Sequence, residues 1–397
     1  MKRVPRVAGF SFSGLHCGLK PCEPDLALLV SDRPAAAAGV FTRSSIPGAP
    51  VVVSKQHLRA GRIRGVVANS GIANVGLGVA GLRRAEEMAA LAAGAIGCRA
   101  AELLVASTGV IGKPLPVAPL RRGIRRAVAA LAPGGLGDAA RAIMTTDTVP
   151  KVAGRRFQLR SRQLAVAGIA KGSGMIEPRM ATMLAFLVTD AAVAPAFLRR
   201  LWREVTADTF NRVTVDGETS TSDTALLLAN GASGGHPIAG PRSPGARLLR
   251  EALHAVAAEL ARELARDGEG ATKLVRVEVQ GARSHADAER AARRIANSLL
   301  VKTALFGGDP NWGRILQTVG AAEISLDLAR TEVRLCGVAV FRAGAATGPA
   351  ARRRAGAKLG RREIEIEVRL GRGRGRAQLW TCDLSDEYVR INAEYTT

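Results

Sequence analysis

Aromatic side chains are scarce in this 397-residue chain: three Trp, two Tyr and nine Phe, 4% of the total. Proteins that hold single-stranded nucleic acid stack bases on aromatic rings beside a cationic groove, and this composition offers few rings. Cysteine is scarcer still, at five, namely Cys17, Cys22, Cys98, Cys336 and Cys382. The odd number, the absence of C-x-x-C spacing and the length exclude a disulfide-stapled scaffold, so the economical expectation is buried free thiols in a reducing compartment. The histidines (His16, His57, His236, His254 and His285) show no ligand spacing, nor do the cysteines, and no metal is implied. Long apolar runs are also missing. The best, from Met180 to Leu198, is interrupted by Thr182, Asp190 and Pro195 and is too polar to span a bilayer. The Met-Lys-Arg start reaches no apolar stretch before His16, so no secretory signal is expected. These absences point to a cytoplasmic protein without membrane partners, long enough to bury a core unaided.

What the chain has in excess is positive charge: 57 basic against 34 acidic residues, a net +23. Such a surface could attract nucleic acid, an anionic membrane or small anions. The basic residues are scattered, which favours a general surface habit over a binding tail. The densest clusters are Arg352–Arg354, Arg361–Arg362 and the Gly-Arg alternation from Gly371 to Arg376, which leads into the strand-like Ala377-Gln-Leu-Trp380. Aromatics are not interleaved with them, so no specific nucleic-acid partner is expected.

Short strand-like runs alternate with Ala-rich helical stretches, without tandem repeats or a long linker. Val51–Ser54, Gly65–Asn69, Leu103–Ala106, Val213–Val215, Ala225–Leu228 and Leu274–Gln280 read as strands. Arg83–Gly94, Leu120–Leu131, Ala194–Asp208, Ala246–Asp267 and Ala286–Leu299 read as helices. From Glu323 onward the pattern is mostly strands: Glu332–Leu335, Val338–Phe341, Glu363–Val368 and Ala377–Trp380. Mixed patterning of this kind predicts a layered α/β architecture. Gly76-Leu-Gly-Val-Ala-Gly81 matches the dinucleotide fingerprint G-x-G-x-x-G, but the preceding strand ends at Asn69, too early for that turn. A plain glycine-rich turn into a helix is the better reading.

The most informative segment is Lys171-Gly-Ser-Gly-Met-Ile-Glu-Pro178-Arg-Met-Ala181-Thr182-Met-Leu-Ala-Phe-Leu-Val. A flexible Gly-rich approach carries Lys171, Pro178 stiffens the chain, and small Ala181 precedes a Thr that opens an apolar run. By spacing alone this also fits a buried strand with an incidental Thr at its start. The stretch, however, resembles the self-cleavage site of the ornithine acetyltransferases, K-G-x-G-M followed by P and A-T-M-L. Further stretches are similar to that family's motifs: Ala106-Ser-Thr108-Gly109-Val-Ile-Gly112, Met144-Thr145-Thr-Asp-Thr148 with Pro150-Lys151, and Asp216-Gly-Glu-Thr-Ser-Thr-Ser-Asp-Thr224. The last departs from the family's D-G-D-T-S-T-N-D-T at Glu218 and Ser222. Asp267–Lys273, Gly308–Arg314 and the terminus Asn392-Ala-Glu-Tyr-Thr-Thr397 also match, so the resemblance covers the whole chain.

The resemblance implies a layered α/β/β/α-type sandwich of the ornithine acetyltransferase and DmpA type, similar to the N-terminal-nucleophile hydrolases but differently connected. It implies cleavage between Ala181 and Thr182 into an α chain, 1–181, and a β chain, 182–397, sharing one core and assembled as an α2β2 heterotetramer. Thr182 would be the nucleophile, and the Thr108 hydroxyl and Gly109 N–H the oxyanion hole. Thr145, Lys171, Thr182, Glu269, Asn392 and Thr397 would contact substrate. The activity implied is ping-pong acetyl transfer from N-acetylornithine to glutamate in arginine biosynthesis, with no cofactor; acetyl-CoA as a second donor is left open. The residue chemistry agrees with those roles. A threonine hydroxyl needs a base, and cleavage frees an α-amine with a pKa of roughly 7.7–8.0. Lys171 suits a carboxylate and Glu269 an amine. On local sequence alone, Ser107-Thr108-Gly109 is equally a strand-to-helix turn and Glu269 a solvated acid. A hydrolase on the same scaffold and a basic nucleic-acid-binding protein are the two alternatives.

Overall fold

The computed structural model describes residues 4–177 and 183–394; Ala181, Thr182 and Thr397 lie outside the described residues. The chain forms two compact units, the first holding the described residues up to Asn211 and Glu218–Leu264, the second Arg212–Gly217 and those from Ala265 on.

In the first unit, strands β1 (Phe10–Leu15), β2 (Leu26–Phe41), β3 (Ile63–Asn69), β4 (Leu103–Ser107), β5 (Lys151–Leu159), β6 (Arg162–Lys171), β7 (Leu184–Thr189) and β8 (Thr224–Ala229) follow the path β4-β3-β2-β8-β7-β6-β5, with β1 also paired to β2. The helices are α1 (Ala49–His57), α2 (Gly78–Ile96), α3 (Val117–Ala129), α4 (Leu136–Ala142), α5 (Pro195–Asp208) and α6 (Ala246–Arg266). The path is continuous but the layer is not, because β2 serves two sets of strands. Its first part, Leu26–Val30, pairs with β3. Its last part, Ala36–Phe41, pairs with β8. The register breaks between Val30 and Ala35, where Pro34 has no N–H to give to a ladder. The two halves then face each other. Ala27, Leu29, Val66, Ala68, Leu104 and Ala106 from one side share a core with Ile169, Leu184, Phe186, Val188, Leu226 and Leu228 from the other. The alternate residues Leu26, Leu28, Val67, Leu103 and Val105 instead pack on α1, α2 and α3, as a period of two requires.

The second unit contains β9 (Leu274–Ala282), β10 (Glu332–Leu335), β11 (Val338–Arg342), β12 (Ala345–Ala346), β13 (Glu363–Arg369) and β14 (Gly375–Cys382), ordered β12-β11-β10-β13-β9-β14. Its helices are α7 (His285–Asn297), α8 (Leu299–Phe306), α9 (Trp312–Gly320), α10 (Pro349–Leu359) and α11 (Asp386–Glu394). Val275, Val277, Val279, Ile364, Ile366 and Val368 turn to one face and pack with residues of α7 to α10. The intervening Arg276, Glu278, Glu365, Glu367 and Arg369 turn to the other, where Arg276 pairs with Glu365 and Glu278, and Arg369 with Glu367.

Several sequence expectations need correction. Val51–Ser54 is helical, within α1: Pro50 sits in the first turn, and Ser54 Oγ donates to Val105 O at 2.6 Å and accepts its N–H at 2.8 Å. Tertiary contact there overrides the β preference of three valines. Val213–Val215 is no strand; Val213 forms a single bridge to Trp380. The helix expected over Ala286–Leu299 ends at Asn297, because Ser298 takes an extended conformation and caps α8, its Oγ accepting from Val301 N–H. The region after Glu323 contains helices α10 and α11 beside its strands. All five cysteines are free, but only Cys382 is buried and Cys22 is exposed. Among the described residues no helix is long and apolar enough to cross a membrane.

The inter-sheet core generates a stability prediction. Phe186→Ala empties a fully buried ring site and should cost about 3–5 kcal/mol, whereas Val52→Ala, on the exposed side of α1, should stay within about 0.5 kcal/mol. Denaturant midpoints of the two variants check this.

Candidate active site

β4 ends at Ser107, and the turn after it is pinned to the end of β3. Thr108 N–H donates to Asn69 O at 3.1 Å, Val110 N–H to Gly71 O at 3.1 Å, and Ala73 N–H to Val110 O at 3.0 Å. Ser107 Oγ donates to Asn69 Oδ1 at 2.5 Å, and Asn69 Nδ2 to Ile72 O at 2.9 Å. Gly109 has φ +127°, and a Cβ there would stand 2.3 Å from the Gly71 carbonyl carbon. Only glycine fits. The Thr108 side chain is buried, and among the described residues its hydroxyl has no hydrogen-bond partner.

Lys171, at the end of β6, is buried and donates from Nζ to Thr145 Oγ1 at 3.1 Å. The neighbouring Thr146 hydroxyl meets Ser173 Oγ instead, at 2.7 Å. Asp147 organises this corner: its Oδ1 accepts from Lys151 Nζ at 2.6 Å and Gly172 N–H at 2.7 Å, and its Oδ2 from Thr145 N–H at 3.1 Å. Burial pushes the Asp147 carboxyl up, but Lys151 and Lys171 outweigh it and hold it at about 2. Burial lowers the Lys171 ammonium, against the pull of Asp147. Lys20 joins the group, donating to Met144 O at 2.5 Å and Pro24 O at 3.2 Å. Its stem lies under Gly71, whose Cβ would fall 3.1 Å from Lys20 Cγ. A chain of contacts through Gly71 and Lys20 thus joins the Thr108–Gly109 turn to the Thr145–Lys171 pair.

In the second unit, Glu269 is buried and its Oε2 accepts from Asn392 Nδ2 at 2.8 Å. Gly270, at φ +67°, lets the turn pass 2.5 Å, measured from a notional Cβ, from the Tyr388 nitrogen of α11. Four of the five described substrate candidates assigned from sequence therefore meet in pairs, Thr145 with Lys171 and Glu269 with Asn392, while Thr108 and Gly109 share one turn. Glu269 is not the solvated turn acid that its local sequence also allowed.

Sequence reasoning missed Lys20, Asp147, Lys151 and Asp223 as individual groups. The last three lie inside matched motifs, which was the available signal; nothing in the sequence marks Lys20. Asp223 is buried, and burial holds its carboxyl well above the usual range despite the Met183 N–H it accepts at 2.9 Å and the nearby Lys171. Among the described residues, no group of three or more His, Cys, Asp or Glu could hold a metal ion.

Fold and site together define an α/β protein with a buried cationic corner beside a glycine-dependent turn. The ArgJ family model matches residues 11–397, and the chain belongs to that family. The resemblance read from its motifs is borne out. "Arginine biosynthesis bifunctional protein ArgJ" of Symbiobacterium thermophilum is 47% identical over 399 residues, covering 99% of this chain and 98% of that protein. The protein of the same name from Geobacter sulfurreducens is 47% identical, covering 98% and 100%. The crystal structure of the arginine biosynthesis bifunctional protein argJ from Bacillus halodurans matches with 37% identity and a TM-score of 0.51, covering 53% of this chain and 98% of that one.

Two predictions follow from this geometry. Gly109→Ala should destabilise the protein by more than about 1 kcal/mol, through strain at positive φ and the clash with Gly71, read as a lowered melting temperature. Asp147 binds its proton more weakly when folded, near 2 against an ordinary 3.8. Its contribution, on the order of 2 kcal/mol, is therefore full above pH 4 and lost as pH falls through about 2. Acid titration of stability should show this loss, and Asp147→Asn should lack it.

Proposed function

We propose that the chain cuts itself between Ala181 and Thr182 and then carries acetyl groups on Thr182, moving them from N-acetylornithine to glutamate in arginine biosynthesis, with acetyl-CoA as an alternative donor. The observation that carries this reading is the buried Lys171–Thr145 pair. Lys171 is the register partner of Leu184 across β6 and β7, and Thr182 lies two residues before Leu184 in the chain. A buried cation with a hydroxyl beside it suits a substrate α-carboxylate. The corner holds Lys20, Lys151 and Lys171 against Asp147, an imbalance that favours an anionic guest.

In the first step the Thr182 hydroxyl attacks the Ala181 carbonyl carbon. The C–N bond breaks, the hydroxyl proton ends on the Thr182 nitrogen, and water hydrolyses the resulting ester. The freed amine is then the base for acetyl transfer. Donor acylates Thr182 and ornithine leaves; the glutamate amine takes the acetyl group in the second half-reaction. Thr108 and Gly109 would steady the tetrahedral oxyanions, a role worth about 10²–10³ in rate per donor. Glu269 with Asn392 suits an amine, and Thr397 is assigned by resemblance alone. The half-length match supports the cut: a chain covered over 98% of itself that spans 53% of this one is about half as long. The working enzyme would be an α2β2 assembly of the two pieces, with small-molecule partners and no cofactor.

Intact mass under denaturing conditions should give two species, ending at Ala181 and beginning at Thr182, and Thr182→Ala should stay whole. A single full-length species from active protein would sink the mechanism. N-acetylglutamate should form only when glutamate is added; free acetate released without it would mean a hydrolase. Lys171→Met should raise the KM for N-acetylornithine about 10–100-fold, the worth of a charged hydrogen bond.

A further inference from the structure

One dipeptide holds both backbone groups of Met183, the described residue next to Thr182 in the chain. Met183 N–H donates to Asp223 Oδ1 at 2.9 Å, and Met183 C=O accepts from Thr224 N–H at 2.9 Å. Asp223 is itself tied down, its C=O accepting from Thr42 N–H at 3.1 Å just past β2. The parallel pairing of β7 with β8 begins at Leu184 and Thr224. The Asp223 side chain therefore carries the β7–β8 connection one residue beyond its last strand pair, toward Thr182. Asp223 is fully buried, and its Oδ2 has no partner among the described residues. Burying a carboxyl costs free energy, and this one makes a single printed side-chain bond, to the backbone that leads to Thr182.

The peptide unit is planar, so the Met183 N–H shares a plane with the carbonyl and Cα of the residue before it. Fixing that N–H fixes the plane from which the preceding Cα projects its amine and side chain. A terminus made by cleavage would otherwise fray, while a nucleophile and its base must keep their geometry to within about 0.5 Å. We propose that Asp223 is a positioning residue for the Thr182 nucleophile, acting through the Met183 N–H with its Oδ1 as the required acceptor. This rests on the Thr182 reading above and adds a residue to it.

Three full-length variants test it. Asp223→Asn keeps an oxygen where Oδ1 stands, Asp223→Ala removes it, and Asp223→Glu keeps the acid but moves it by one methylene. Intact mass gives the rate of cutting, and acetyl transfer gives kcat and KM per cut chain. The Asn variant should stay within about threefold of the unchanged protein. The Ala and Glu variants should lose on the order of 10² in cutting rate and kcat, as a misplaced reacting group does. Their KM should move less than about threefold, since Lys171 and Thr145 are untouched. An Ala variant as fast as the unchanged protein would overturn the proposal, and so would an Asn variant as slow as Ala, because a proton rather than an acceptor would then be needed. If the Ala variant does not fold, Asn against Glu decides: Asn retained with Glu lost supports positioning, and any other pattern overturns it. Failure of the Thr182 reading is distinguishable, because it appears in the unchanged protein as an active, uncut chain.

Discussion

The pairing of β6 with β7 is the interaction on which the first unit depends. β6 ends on Lys171 and β7 opens at Leu184, and the two are register partners. The sheet thus draws strands from both sides of the Ala181–Thr182 bond. A cut there would leave both edges of the gap held by ladder hydrogen bonds and by the inter-sheet core of Ile169, Leu184, Phe186 and Leu226. Chain continuity is not what keeps these parts together. A protein built this way can spend one peptide bond on making a catalytic amine without dismantling its scaffold.

The charges in the cationic corner are arranged on the same principle. Asp147 accepts from Lys151, Gly172 and Thr145, so one carboxylate fixes two segments, the turn carrying Thr145 and the one following Lys171. A buried ion pair stabilises little in itself, but removing one member leaves the other charge stranded, at a cost of about 3–5 kcal/mol. Lys151 neutralises Asp147 and leaves Lys171 partnered by a neutral hydroxyl. That division separates the structural lysine from the one available to a ligand.

Where pattern alone fixes an element, the sequence was enough. Val275–Val279 and Ile364–Val368 alternate strictly with charged residues, and both became strands with the expected faces. Val51–Val53 could not be read, because a helix there is decided by Ser54 reaching Val105, a contact 51 positions away. β2 was invisible for the opposite reason: its alanines and Pro34 carry little strand signal, and neighbours on both sides hold it in place. The site was legible only as motifs. Thr145 and Lys171 could be named from resemblance, but their meeting, and the burial that makes Asp223 unusual, depend on strands distant in sequence. Glu269 illustrates the limit, since its local sequence also suited a solvated turn and only the arrival of Asn392 buries it.

The break at Pro34 makes β2 a clasp. A straight sixteen-residue strand would hold its ends about 50 Å apart. The two arms instead bring their surroundings to one place: Gly48 N–H reaches Thr221 O near the β8 entry, and the next residue, Ala49 N–H, reaches Asn74 O beyond β3. The jaw that bears Thr108 and Gly109 hangs from the first arm, and the jaw that bears Asp223 and Met183 from the second. The length of each arm is then a gauge for the opening between them. Two extra residues in either would keep every side chain on its proper face yet shift one jaw by about 7 Å, a change that leaves the fold intact and the bite out of alignment.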